Sequence, residues 1–106
     1  EAAFQASTIK NIDDIYDEFS VWFTSEIDNP EQNYNNKELR MVLKKSLSTL
    51  DKKQLLLIQL YYVEELNIYE IAKIMNVSTG RVSQIKSNAI NLIRSKVREL
   101  LEYSHE

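Results

Sequence analysis

Residues 68–94 read IYEIAKIMNVSTGRVSQIKSNAINLIR, and this stretch restricts the fold more than any other. Ile71, Met75, Val77, Val82 and Ile85 fall at the offsets that bury one side of a short helix against one side of a longer one. Ala72 is small where the two axes must approach. The short NVS connection supplies Ser78 as N-cap of the second helix, because its hydroxyl can accept from an otherwise unpaired backbone N–H. The pattern is a helix-turn-helix, and a DNA-binding unit is the first hypothesis it raises.

A chain of 106 residues with 43% apolar content has enough for one modest core and not for two. One Gly, one Pro and few alternating β-branched runs point to an all-α fold. The absence of Cys rules out a disulfide frame and thiolate zinc sites. No apolar run approaches the roughly 18 residues of a membrane span, and these residues contain no basic-then-apolar leader. A soluble, cytoplasmic protein is therefore expected, with no membrane partner. Glu1 stands where an initiator Met would, so the sequence is expected to be a fragment, with residues 1–3 a cloning remnant.

The net charge of −3 hides a change of sign along the chain. Residues 1–36 hold eight acids against the single Lys10, whereas residues 71–98 hold no acid and carry Lys73, Arg81, Lys86, Arg94, Lys96 and Arg98. Only a docking face meets phosphates, so this asymmetry points to nucleic acid more strongly than the overall charge does.

Taken in order, Ile9, Ile12, Ile15, Tyr16, Phe19, Trp22, Phe23 and Ile27 recur at steps of three and four. They predict an amphipathic helix within residues 8–27 whose other face is acidic. It either packs on the domain or on a neighbouring chain, or serves as a linker that is extended in the intact protein and collapses only in a fragment. Residues 28–36, DNPEQNYNN, are rich in turn formers, and Pro30 biases Asn29 away from helix. The boundary is expected here, giving a linker and acidic amphipathic segment over 1–36, a domain over 37–102 and a tail over 103–106. A helix is predicted over 37–48 with Asn36 as cap and Leu39, Val42, Leu43 and Leu47 inward. Asp51 with Gln54 forms a capping box for a helix reaching about residue 63, and Asn67 with Glu70 repeats the logic for the first helix of the DNA-binding unit.

The last helix is expected over 79–102, with Val82, Ile85, Ala89, Leu92, Ile93, Leu100 and Leu101 as its core stripe. At 100° per residue the opposite side presents Gly80, Ser83, Gln84, Ser87, Asn91, Arg94 and Arg98. Short polar side chains near the helix start suit base edges in the major groove, and cations farther along suit the phosphate backbone. A merely solvated face would carry acids as the rest of the chain does.

The run LSTLDKKQLLLIQLYYVEELNIYEIAKIMNVSTGRVSQIKSNAINLIR, residues 47–94, resembles region four, the C-terminal domain of bacterial sigma factors of the sigma-70 family, and most closely the flagellar or motility class. LYYVEELN, EIA and RVSQI carry the resemblance, which extends more weakly through residues 28–47. It implies a four-helix domain with a long recognition helix that binds the minus-35 element of double-stranded promoter DNA while docked on the β-flap of RNA polymerase core. It places base reading on Thr79, Gly80, Arg81, Ser83 and Gln84 and, with Ser78, completes the DNA-binding set. Thr79, Gly80 and Ser83 stand where primary sigma factors often place charged residues, so the same promoter sequence is not expected. The upstream domains that open the minus-10 region lie outside these residues, so transcription by this stretch alone is not expected.

Residues 55–63, LLLIQLYYV, are apolar all around a helix axis and so must be covered on more than one side. The family match assigns Leu57, Ile58, Leu60 and Tyr62 to the core. Leu56 and Tyr61, with Leu43 and Leu47 nearby, are then expected to border a groove for a flap helix or, in competition, for an anti-sigma protein, unless the segment around Phe19, Trp22 and Phe23 covers them. An alternative is a dimeric helix-turn-helix regulator output domain; a pure protein-interaction module is another. An enzyme is not expected: the single His105 lies in the tail and no acids converge. No metal, cofactor or small-molecule substrate is expected either.

Overall fold

Four of the helices begin where a polar side chain, Asn35, Asp51, Asn67 or Ser78, satisfies one of the first N–H groups. The computed structural model describes residues 12–27 and 34–104, in which five helices and no strand are found. Helix α1 (Ile12–Trp22) ends in a wide π-type turn, Phe23–Ile27; α2 spans Asn36–Leu47. Helix α3 (Lys52–Ile58) likewise widens into a π-type turn, Gln59–Val63, and is followed by α4 (Ile68–Met75) and α5 (Thr79–Ser104). The beginning of the expected first segment (residues 1–11), the turn formers around Pro30 (28–33) and His105 lie outside the described residues.

Two capping boxes stand as the sequence predicts. Asp51 Oδ1 accepts from Gln54 N at 2.8 Å, and Asn67 Oδ1 accepts from Glu70 N at 2.9 Å, each with the reciprocal bond to the cap. A third corrects the expectation by one residue: Asn35, not Asn36, caps α2. Either Asn could accept the bond, but only Asn35 has a Glu three positions on to return it. Asn36 instead accepts a hydrogen bond from the Tyr16 hydroxyl at 3.0 Å, which ties α2 to α1.

Helix α5, 26 residues long, is the spine against which α2, α3 and α4 all pack. Its buried stripe is Val82, Ile85, Ala89, Ile93, Val97 and Leu101. This corrects the projected stripe at two positions: Leu92 is 49% exposed, while Val97, left off it, is fully buried. A flat wheel assumes a contact line parallel to the axis, whereas packed helices meet along rows four residues apart that are inclined to it. From Ala89 onward the core follows that inclined row. The stripe joins Leu39, Val42, Leu43, Leu47, Leu57, Ile58 and Ile71 in one core, which also takes in Ile15, Phe19, Trp22 and Phe23. Helix α1 thus packs on the domain within these residues.

The expected helix over residues 51–63 is continuous, but its last turn is widened, with Glu64 N bonding Gln59 O at 3.1 Å. The chain then turns through Glu65, whose φ of 55° is left-handed. A side chain there costs about 1 kcal/mol or more of backbone strain. Glu65→Gly is expected to raise stability by about 0.5 to 1 kcal/mol, the relief of strain exceeding glycine's entropy in the unfolded chain. A denaturation midpoint that falls in this variant would show that the Glu65 side chain contributes more than its backbone costs.

Candidate nucleic-acid interface

The turn between α4 and α5 is set by Asn76, which ends α4 with φ 57° and ψ 48°. Asn tolerates this left-handed geometry better than most residues. It lets Val77 N reach back to Ala72 O at 3.0 Å, while Val77 packs onto the core. Ser78 then accepts from Arg81 N at 3.1 Å through its Oγ, as expected of the cap. With Ile71 and Val82 fully buried and Ala72 at the crossing, α5 is held rigidly with its first turns outward.

Along those turns Gly80, Arg81, Ser83, Gln84, Ser87 and Asn91 are exposed, Ser78 is exposed at the cap, and Thr79 is half-buried. Gly80 adopts no positive φ, and a Cβ built there meets only Ser78 Oγ at 3.9 Å. The fold therefore has room for a side chain at the position. Arg81 Nη1 donates to Gln84 Oε1 at 2.6 Å, so the two longest side chains of the face form one unit. Its outward groups are mainly donors, the remaining guanidinium N–H groups and the Gln84 amide N–H groups, beside the second lone pair of the Gln84 carbonyl.

The cations farther along are placed differently from one another. Arg94 is half-buried and Arg98 exposed, and both guanidinium groups lie over the Trp22 ring of α1, at 5.5 and 5.4 Å from its centroid. Arg94 Nε is buried and has no hydrogen-bond partner among the described residues. Lys86 sits over the Tyr61 ring at 3.9 Å, and Lys96 pairs with Glu99 at 3.2 Å. The stacking of Arg94 and Arg98 on Trp22 was not legible in the sequence, because α1 and α5 are separated by most of the chain; the one hint was Trp22 on an otherwise acidic amphipathic helix. Burial pushes the Tyr62 hydroxyl up to about 12, with Tyr61 and Glu18 adding to the rise and Arg94 opposing it. Tyr62 therefore meets Arg94 as a neutral group.

The four residues expected to border a partner groove do not form one. Leu43 and Leu47 are 0% and 2% exposed and belong to the core, as expected of the inward face of α2, which corrects their placement beside a partner groove. They follow the same inward face of α2 as Leu39 and Val42, so the helix has no second apolar side to offer. Tyr61 is half-buried, packs on the core and meets Tyr62 edge-on, with centroids 4.9 Å apart. Leu56 is half-buried and stands outside the set of partly buried residues packed on the core. Helix α1 covers Tyr62, through Phe19 at 6.2 Å. No cluster of His, Cys, Asp or Glu suited to a metal occurs among the described residues. No described helix is long and apolar enough to cross a membrane.

Residues 46–95, which contain the turn and the exposed face of α5, match the family described as Sigma-70, region 4. Over 73 residues, 69% of this chain and 30% of the relative, the sequence is 38% identical to the RNA polymerase sigma factor FliA of Escherichia coli (strain K12). It is 33% identical over 73 residues, 69% of this chain and 29% of the relative, to the RNA polymerase sigma-D factor of Bacillus subtilis (strain 168). The FliA of Salmonella typhimurium (strain LT2) is 36% identical over the same length, 69% of this chain and 30% of that protein. The chain thus spans about 30% of the length of the curated relatives it matches. No solved structure matches it significantly. Through this domain the chain belongs to the sigma-70 family of sigma factors, as a region 4 helix-turn-helix of the flagellar class.

Proposed function

We propose that this chain is the promoter-reading part of a flagellar-type RNA polymerase sigma factor, working in the cytoplasm. In this reading α5 enters the major groove of the minus-35 element while the domain is docked on the β-flap of the polymerase. The observation that carries it is the exposed, acid-free face of α5. Gly80, Ser83, Gln84, Ser87 and Asn91 point outward from a helix anchored behind by Val82, Ile85 and Ala89. The major groove is wide enough for one helix, and its start is where side chains reach base edges.

The Arg81–Gln84 pair sharpens the expectation. Because one lone pair of the Gln84 carbonyl is already occupied, the pair offers mainly donors, which suit the N7 and O6 acceptors of guanine. Gly80 contributes no contact of its own and allows close approach, so preference there comes from DNA shape and from its neighbours. An anti-sigma protein competing for the flap-docking face would regulate the factor. The dimeric-regulator reading is disfavoured by the burial of Ala89, Ile93, Val97 and Leu101 within their own domain, which leaves that stripe no partner to meet.

Arg81→Ala and Gln84→Ala are each expected to weaken binding to a minus-35 duplex by about 1 to 3 kcal/mol and to relax sequence preference. Competition gel shifts against a scrambled duplex check this. If both variants keep the parent's preference, α5 does not read bases through these side chains.

A further inference from the structure

Arg94 and Arg98 are suited by position to grip phosphate where α5 leaves the groove, yet both are held by α1. Trp22 lies beneath both guanidinium groups, and Arg94 Nε is buried without a hydrogen-bond partner among the described residues. Buried Ile15, Phe19 and Phe23 seat the rest of α1 on the domain, and the Tyr16 hydroxyl donates to Asn36 Oδ1 at 3.0 Å. Asp13 pairs with Arg40 at 2.7 Å across an exposed site, and the Arg40 guanidinium also lies over the Tyr16 ring at 4.5 Å. The outer face of α1 carries exposed acids, Asp13, Asp14, Asp17 and Glu18, which repel a DNA backbone brought alongside.

We propose that α1 is an autoinhibitory arm: docked, it withholds Arg94 and Arg98 from DNA and sets its acids beside the phosphate path, and DNA binding along the second half of α5 requires its release. This rests on the reading of α5 as the DNA-binding helix. The stacked arrangement is a compromise for Arg94, because a buried donor left unpaired loses its hydration without replacement. Phosphate oxygens would supply charge-assisted bonds in its place. Docking lowers the apparent affinity in proportion to the fraction of time the arm is released, so a change that loosens the arm tightens binding.

Arg40→Gln gives a test whose sign is decisive. The variant removes a positive charge, so simple electrostatics predicts weaker binding to DNA. It also removes both the Asp13 pair and the Tyr16 stack, so release of the arm predicts tighter binding, by about threefold to tenfold. The probe is a random-sequence DNA duplex at low salt, titrated into the full 106-residue chain. Trp22, the single tryptophan, reports the position of the arm by its fluorescence. A red shift of Trp22 emission on saturation with duplex, and tighter binding by Arg40→Gln, are the results expected. If DNA binds while Trp22 emission stays at its buried wavelength, or if Arg40→Gln binds more weakly, the arm is a fixed part of the fold and the inference fails while the DNA-binding reading stands. If neither chain binds duplex at all, both fall.

Discussion

Ile93→Ala is expected to lower the stability of the domain by about 2 to 5 kcal/mol, with the true value toward the upper end. Ile93 is fully buried midway along α5, where α2 and α3 pack against the helix, so little can move in to refill the space. Domains of this size have only a few kcal/mol in reserve, and the variant should unfold at a much lower denaturant concentration. Its neighbour provides the control. Leu92→Ala removes a side chain that is 49% exposed and should change stability by no more than about 0.5 kcal/mol. Comparable losses in the two variants would mean that the core contacts α5 along a line parallel to its axis and not along the inclined row from Ala89 to Leu101.

That pair of residues shows where sequence reasoning stops. Interactions between near neighbours in the chain are legible: the Asp51–Gln54 and Asn67–Glu70 boxes, the Ser78 cap and the apolar offsets of the helix-turn-helix are all as read. Each depends on a handful of consecutive residues and on little else. The choice between Asn35 and Asn36 is also local, but it turns on the reciprocal Glu38, which a search for the first Asn before a helix does not weigh. Properties set by tertiary packing are not legible in this way. The widened turn at Gln59–Val63 has no marker in LLLIQLYYV. The tilt of α5 against its neighbours decides between Leu92 and Val97, and no single-helix projection contains that tilt. Likewise the exposed face of α5 followed from spacing and charge, whereas the engagement of Arg94 and Arg98 depends on where α1 returns to the domain. The groove expected at Leu56 and Tyr61, with Leu43 and Leu47 nearby, failed for a related reason. An apolar residue left over after assigning a core by analogy borders a groove only if no other helix reaches it; Tyr61 packs on the core, and Leu43 and Leu47 lie in the interior, as their place on the inward face of α2 implies.

Leu56→Asp is the substitution expected to separate polymerase docking from everything else. Of the four residues first read as bordering a partner groove, Leu56 alone is neither in the core nor packed on it. It lies on α3, away from the base-facing residues of α5, so a charge there leaves the Arg81–Gln84 unit untouched. Covering a leucine with a partner's apolar surface contributes roughly 1.5 to 3 kcal/mol. Placing a carboxylate in the same contact adds a desolvation cost of several kcal/mol. The sum corresponds to a loss of about two orders of magnitude or more in affinity for the β-flap, enough to empty a pull-down of core polymerase. The domain itself should remain folded, because a half-buried side chain off the core can turn its new charge toward water. Duplex binding should likewise stay at the parent level. Circular dichroism melting, a gel shift and a polymerase pull-down on the same preparation distinguish the outcomes. Unfolding would place Leu56 in the core after all. Full recovery of polymerase by a folded variant would move the flap contact off α3, leaving the exposed apolar residues Tyr69 and Ile74 of α4 as the next surface to alter.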